Sequence, residues 1–283
     1  MQYKLTRKRI AAALDALGLT SASVLFVHSS MSSMGHVEGG AAAVVEALLD
    51  VLGPAGTLVV PTFTFAHGRR GGPVFDPAHD PSEMGRITEE TRTRSGALRS
   101  CHLLHSVAAL GSHAGEITAL HGPSAWAADG PFWKLHELDA QILLLGVPYL
   151  RCTYFHLLEQ LVQVRYRRWR EVEAHMRAQD GSLRPLPTFV YSPGPGFPGN
   201  DFNKLGNLLE RRGMARVGAV GNAVTRLFRA RDAHDLGLAQ YRKDRRLFLL
   251  TGPRCTQLRD GVLTEELNNE KSVVDPACVY RRP

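Results

Sequence analysis

Two short segments of this 283-residue chain carry side chains suited to proton and acyl chemistry. The first is Arg99-Ser100-Cys101-His102-Leu103-Leu104-His105-Ser106-Val107-Ala108-Ala109-Leu110-Gly111, with two histidines, two serines and an arginine ahead of a small apolar run. The second is Thr153-Tyr154-Phe155-His156-Leu157-Leu158-Glu159. His156 and Glu159 stand at i and i+3, so on a helix they share a face, and the carboxylate can orient the imidazole and stabilise its protonated form. An imidazole with a pKa near ~6.5 accepts a proton at neutral pH. Together the two segments point to acyl transfer assisted by a general base. The same spacing also serves to satisfy a half-buried histidine, and the pattern alone does not separate the two uses.

Other chemistries fit less well. Gly-x-Ser-x-Gly, the turn that presents a nucleophilic serine, does not occur. Cys101 and Cys152 lie near the histidines and stay open as thiol nucleophiles, although packing is the commoner use of such residues. His102, His105 and His156 are conceivable metal ligands, but neither His-Glu-x-x-His nor a cysteine pair accompanies them, so no metal is expected. A third segment, Val27-His28-Ser29-Ser30-Met31-Ser32-Ser33-Met34-Gly35-His36-Val37-Glu38-Gly39-Gly40, runs from an apolar stretch through serines to paired glycines. Free N–H groups at a helix start bind anions, and glycine admits a ligand close to the backbone. Serines there also act as plain caps.

The elements that must position these residues alternate. Helical spacing covers Thr6 to Leu17, an apolar strand Val24 to Val27, a helix Gly40 to Leu52, and a β-branched strand Thr57 to Phe63. A Gly-, Pro- and Asp-rich loop over 66–82 precedes a helix around Glu83 to Thr91. Then come a helix Ala114 to His121, a buried strand Gln141 to Val147 and a helix Tyr154 to Val164. Beyond Arg165 the pattern reads as a charged strand Tyr166 to Val172, a strand Leu186 to Tyr191, a loop over 193–199, a helix Phe202 to Arg212, a strand-like run Arg216 to Phe228 and a helix Ala233 to Tyr241. This is the pattern of a mixed α/β (α+β) fold, one large domain with a partly parallel central sheet flanked by helices.

Composition is that of a soluble globular protein, 44% hydrophobic and 22% charged. No apolar run approaches the ~20 residues of a membrane span, and no signal-peptide pattern precedes the first helix, so a cytoplasmic protein without membrane association is expected. The cysteines, at 101, 152, 255 and 278, have no disulfide or metal spacing, which fits a reducing compartment. The net charge of +7 is uneven. Residues 1–150 hold 11 Lys and Arg against 13 Asp and Glu, whereas residues 151–283 hold 23 against 14. A positive field for an anionic ligand is one reading and an arginine-rich genome another. Nucleic-acid binding is disfavoured, because no recognition motif accompanies the charge and aromatics make up only 7%.

In order along the chain, these segments resemble the aminoglycoside 3-N-acetyltransferase (antibiotic N-acetyltransferase) family. The resemblance is carried by Val27 to Gly35 with Gly39-Gly40, by Gly56-Thr57-Leu58-Val59-Val60-Pro61-Thr62-Phe63-Thr64, by Phe75-Asp76-Pro77 and by Pro81-Ser82-Glu83-Met84-Gly85. It continues through Arg99 to Gly111, Lys134-Leu135-x-Glu137-Leu138, Leu143-Leu144-Leu145-Gly146-Val147, Thr153-x-x-His156-x-x-Glu159, Val220-Gly221-Asn222-Ala223 and Arg226-Leu227-Phe228-x-Ala230-Arg231-Asp232. The resemblance implies acetyl-CoA as acyl donor and a small-molecule amine, an aminoglycoside at its 3-amino group, as acceptor. It further implies that His28, Ser29, Ser30, Ser32, Ser33, Gly39, Gly40, His105, Ser106 and Val107 contact the coenzyme and that His156, supported by Glu159, is the general base.

Four positions depart from the family pattern. Leu103 replaces a proline, Trp133 a small residue, and Glu90-Thr91 a small residue followed by an aromatic. Residues 1–250 form the expected domain, and the tail 251–283, of unassigned role, carries none of these motifs. Charge favours a different acceptor, an amine bearing phosphate, phosphonate or carboxylate, since a polycation needs an acidic cleft. A non-catalytic CoA-binding protein on the same scaffold is the remaining alternative. Oligomeric state is not legible.

Overall fold

The computed structural model of the chain describes residues 4–69, 73–119 and 122–251. Helix α1 (Arg7–Leu17) starts at Thr6, whose side chain accepts from the Arg9 N–H, and stops at Gly18 in the left-handed conformation. Strand β1 (Val24–Ser29) runs into a 3-10 turn (Met31–Met34), and α2 (Gly40–Leu52) carries the chain back to β2 (Thr57–Pro61), parallel to β1. Next come β3 (Val74–Phe75), α3 (Arg86–Arg92), β4 (Leu98–Arg99), β5 (Val107–Gly111), α4 (Ala114–Thr118), α5 (Pro131–Glu137) and β6 (Gln141–Leu145). The second half adds α6 (Phe155–Leu161), β7 (Arg167–Val172), β8 (His175–Arg177), β9 (Leu183–Pro185), β10 (Thr188–Pro193), α7 (Asn203–Arg211), β11 (Ala215–Val220), β12 (Ala223–Arg229) and α8 (Ala230–Lys243).

The main sheet has seven strands in the order β11-β12-β6-β1-β2-β5-β4. Its centre, β6-β1-β2, is parallel, and the strands on both sides are antiparallel. It is the mixed, partly parallel sheet that the alternating pattern called for. Helices cover both faces, so the central strands are apolar at nearly every position rather than at every second one. Leu25, Val27, Leu58, Val60, Leu143 and Leu145 pack towards α1 and α2. Phe26, Val59, Ile142 and Leu144 pack on the opposite face with Phe132, Phe155, Leu205 and Ala233. Each such side chain, fully buried, stabilises the fold by about 1.5–3 kcal/mol.

Strand β1 lies between β2 and β6, and at the carboxyl ends of the parallel strands the segments after β1 and β6 pack on each other, the Ser30 N–H donating to the Leu145 carbonyl. Two small sheets, β10-β7 and β3-β8-β9, cover one flank around Phe75, Leu103, Leu104, Ala174, Leu186 and Val190. Leu103, the departure from the family's proline, is fully buried in this cluster.

Several elements differ from the sequence reading. The helix expected from Glu83 begins at Arg86, because Gly85 is at φ 109° and the Glu83 N–H donates to the Phe63 carbonyl. The helix expected to reach His121 ends at Thr118, and His121 lies outside the described residues. The run Arg216 to Phe228 is two strands, turned at Gly221-Asn222 with Gly221 at φ 60°. Strand β5 and helix α5 were not anticipated. Of the strands after Arg165 only β11 and β12 extend the main sheet. The tail beyond Thr251 lies outside the described residues. Among the described residues no helix is long and apolar enough to cross a membrane.

Candidate active site

Strand β1 carries His28 on the same face as Phe26, with the two rings edge-to-face at 4.6 Å. His28 is almost completely buried. Its Nε2 accepts the Thr153 backbone N–H at 3.0 Å and lies 2.8 Å from Thr153 Oγ1. The proton therefore resides on Nδ1. Burial, reinforced by the nearby His156, pushes this imidazole down to about 3, so it is neutral and ties the end of β1 to the start of α6.

Helix α6 places His156 and Glu159 on one face, as their spacing requires. His156 Nδ1 is 2.5 Å from Glu159 Oε2, and the ring keeps 26% of its side-chain exposure while Glu159 keeps none. Nδ1–H donates to the carboxylate, so Nε2 is left as the proton acceptor facing open space. A buried carboxylate without partners costs several kcal/mol, and here partners surround it. Its Oε1 accepts from Tyr166 OH at 2.7 Å and from Asn200 Nδ2 at 2.6 Å. Arg167 Nε lies 2.9 Å from Oε2, and the same guanidinium donates to Asn200 Oδ1 at 2.8 Å and to the Tyr191 carbonyl at 3.0 Å. Burial alone would raise the Glu159 pKa, but His156, Arg167 and Tyr166 hold it below the usual carboxylate range. For His156, burial lowers the pKa and the Arg167 charge adds to it, outweighing the pull of Glu159. The pair rests as neutral imidazole and carboxylate.

His156 opens onto a cavity of about 110 Å³ lined also by His105, Trp126, Gln160, Tyr191 and Ser192. The Trp126 ring stands 5.5 Å from that of His156 and 4.7 Å from that of His105, and its Nε1–H donates to the Thr153 carbonyl. Gln160 Oε1 accepts from Ser124, while its Nε2 has no partner among the described residues. His105 is held on the cavity wall by a turn: His102 Nδ1 accepts the N–H groups of Leu104 and His105 at 3.1 and 3.0 Å. Burial pushes His102 down to about 4 and His105 well below the ordinary histidine value.

Of the residues expected to meet the coenzyme, only His105 lines this cavity. His28 lies behind it, joined to α6 through Thr153. Ser106 and Val107 are fully buried in the sheet: Ser106 donates to the Thr62 carbonyl and accepts from Arg99 Nε, and the Val107 N–H donates to Ser100. Ser29, Ser30, Ser32 and Ser33 form the turn at the end of β1, with Ser33 Oγ donating to the Ser30 carbonyl. Gly39 and Gly40, at φ 80° and 61°, open α2 without a side-chain cap. This turn follows β1 and packs against Gly146 after β6, apart from the cavity walls.

Burial raises the thiol pKa of both Cys101 and Cys152, which disfavours the thiolate a nucleophile needs. Among the described residues no three His, Cys, Asp or Glu side chains converge as metal ligands. Arg167 alone turns inward, while Arg165, Arg168 and Arg170 are exposed. Trp126, Gln160, Tyr166 and Asn200 were not expected at the site. Asn200 is brought to Glu159 by folding alone, and no local pattern marks it. Tyr166 and Arg167 carry a faint local mark, as polar residues following a helix that holds a carboxylate.

Residues 26–242 match the family model described as Aminoglycoside 3-N-acetyltransferase. The chain is 32% identical over 271 residues to aminoglycoside N(3)-acetyltransferase VII of Streptomyces paromomycinus, covering 83% of this chain and 90% of that protein. It is also similar in structure to AAC-IIIb in its binary complex with CoASH, with a TM-score of 0.76 and 26% identity over 89% of this chain and 100% of the other. A histidine-to-alanine variant of aminoglycoside acetyltransferase AAC(3)-IVa in complex with a gentamicin is similar at a TM-score of 0.74 and 32% identity, covering 92% and 98%.

Proposed function

The chain belongs to the aminoglycoside 3-N-acetyltransferase family, and from that premise we propose that it transfers the acetyl group of acetyl-CoA directly to an amine, the 3-amino group of an aminoglycoside, with His156 as general base and Glu159 as its support. The observation that carries this reading is the partly exposed His156 ring, locked through Nδ1 to a fully buried carboxylate and opening onto a cavity. Only a neutral amine can attack a thioester. His156 Nε2 takes the proton as the C–N bond forms, and returns it to the departing sulfur as the C–S bond breaks. The chain then ends the cycle with its proton count unchanged, and no covalent enzyme intermediate is needed. His105 and the serine turn at the end of β1 are the groups this reading assigns to the coenzyme, and the reducing cytoplasm suits the free Cys101 and Cys152.

A second reading of the acceptor has its own support. Among the described residues Glu159 is the single carboxylate lining the cavity, and it is already bound to Tyr166, Asn200, His156 and Arg167. No lining carboxylate among them is left over for a second ammonium group, which favours an amine carrying phosphate, phosphonate or carboxylate over a polycation. Thiol release from acetyl-CoA, followed across aminoglycosides and anionic amino compounds, tests both readings. Amine-dependent release with either class establishes the transferase and identifies the acceptor. No release with any amine, alongside retained coenzyme binding, contradicts the proposed function and leaves a binding protein.

A further inference from the structure

In a simple histidine–carboxylate pair the anion stabilises the imidazolium and raises the ring's proton affinity. Here a third charge is built in. Arg167 leaves β7 with a guanidinium whose side chain is only 9% exposed. Its Nε is 2.9 Å from Glu159 Oε2, the oxygen that also binds His156 Nδ1. One terminal nitrogen reaches Asn200 Oδ1 at 2.8 Å and stands 3.4 Å from His156 Nδ1, and the other reaches the Tyr191 carbonyl at 3.0 Å. The Phe197 ring lies 5.4 Å below the guanidinium carbon. Asn200 closes the loop by donating to Glu159 Oε1. The guanidinium is thus fixed from four sides.

We propose that Arg167 is a positioning residue for the base: it clamps Glu159 against His156 Nδ1 and offsets part of the carboxylate's charge, so that the ring works as a neutral Nδ1–H imidazole with a short-lived protonated form. The inference rests on His156 being the base and deepens that assignment. The charge count around the ring supports it. Facing His156 are Glu159 from its own helix, Arg167 from β7, His28 from β1 and His105 from the segment before β5, with the uncharged Trp126 and Phe202 rings beside it. His28 and His105 are neutral, so the field is one anion against one cation. An imidazolium formed there gains less Coulomb support than the carboxylate alone would give, because Arg167 opposes it, which favours prompt delivery of the proton to the leaving sulfur rather than its retention.

Replacing Arg167 by alanine leaves Glu159 as an uncompensated anion beside the ring. The acid limb of kcat/KM then moves up by about one pH unit, and free guanidinium added to the assay moves it back. Arg167→Lys keeps the charge but not the fork, so it retains the low limb with a reduced kcat. A pH profile of the alanine variant that overlays the wild-type profile after scaling overturns the proposal. NMR titration of the His156 ring in the wild-type protein, assigned by difference with His156→Ala, is the companion measurement, and it needs neither the variant fold nor catalysis. The ring is expected to titrate below an ordinary histidine, and a titration at or above the ordinary histidine range overturns the proposal even if Arg167→Ala does not fold. Because the titration reads the ring directly, loss of the proposed reaction and loss of the Arg167 role give separate outcomes.

Discussion

At the scale of single residues, the account depends on how tightly Glu159 is held. Glu159→Gln keeps the shape of the side chain but removes the charge that the Arg167 guanidinium and the His156 N–H both require, so it strands a buried cation and weakens the ring's orientation. Turnover should fall by about tenfold to a hundredfold, less than on removing the imidazole, in line with the ~10²–10⁴-fold worth of a positioned base. A Glu159→Gln rate equal to wild type in steady-state assays contradicts the support role. Asn200→Ala should act in the same direction and more weakly, because Tyr166 still donates to Oε1. The His156–Glu159 pair was legible in the sequence because one helical turn dictates its geometry. The Asn200 contact was not, since it joins residues 41 apart through a loop that has no periodicity. Arg167 was legible as one charge in the strand expected from Tyr166 to Val172 but not as the partner of a buried carboxylate, a contact that only the fold creates.

At the scale of elements, the site depends on how the loops after β1 and β6 sit against one another. Gly146 follows β6 at φ 71°, and a Cβ there would overlap Ser33 Oγ and stand 3.0 Å from Ala223 Cβ. Gly146→Ala therefore strains the backbone by about 1–2 kcal/mol and displaces the serine turn. If that turn holds the coenzyme, KM for acetyl-CoA rises several-fold while kcat changes less, because His156 belongs to another element. An unchanged KM would argue against the turn as coenzyme contact. The central strands were readable from sequence because burial on both faces makes them continuous apolar runs. Strand β5 was not, because Val107-Ala108-Ala109 offers small residues that suit helix and strand alike, and only pairing with β2 selects the extended form. The β11–β12 hairpin merged into one run because its turn, Gly221-Asn222, is short and flanked by residues of similar character.

At the scale of the whole molecule, buried neutral histidines make stability depend on pH. His28 and His102 titrate near 3 and 4 in the folded chain, and His105 also lies well below its ordinary value. The unfolded chain takes up protons near ~6.5, so it binds more protons than the folded chain below that value and stability falls as pH drops. The contribution is complete above about pH 6.5 and decreases by about 1.4 kcal/mol per pH unit for each such histidine on the way down. The urea midpoint should therefore fall from about pH 7 to about pH 5, and a flat midpoint over that interval contradicts the burial of neutral rings. Charge is uneven at the same scale, since the basic second half supplies β7 with its exposed Arg168 and Arg170. The central claim is that one imidazole removes the amine proton as the acetyl group moves. Single-turnover acetyl transfer by His156→Ala, loaded with acetyl-CoA and an accepted amine, tests it most directly, with coenzyme affinity measured in parallel. The account predicts a rate lower by about 10²–10⁴-fold with coenzyme affinity unchanged; transfer within a few-fold of the wild-type rate would contradict it.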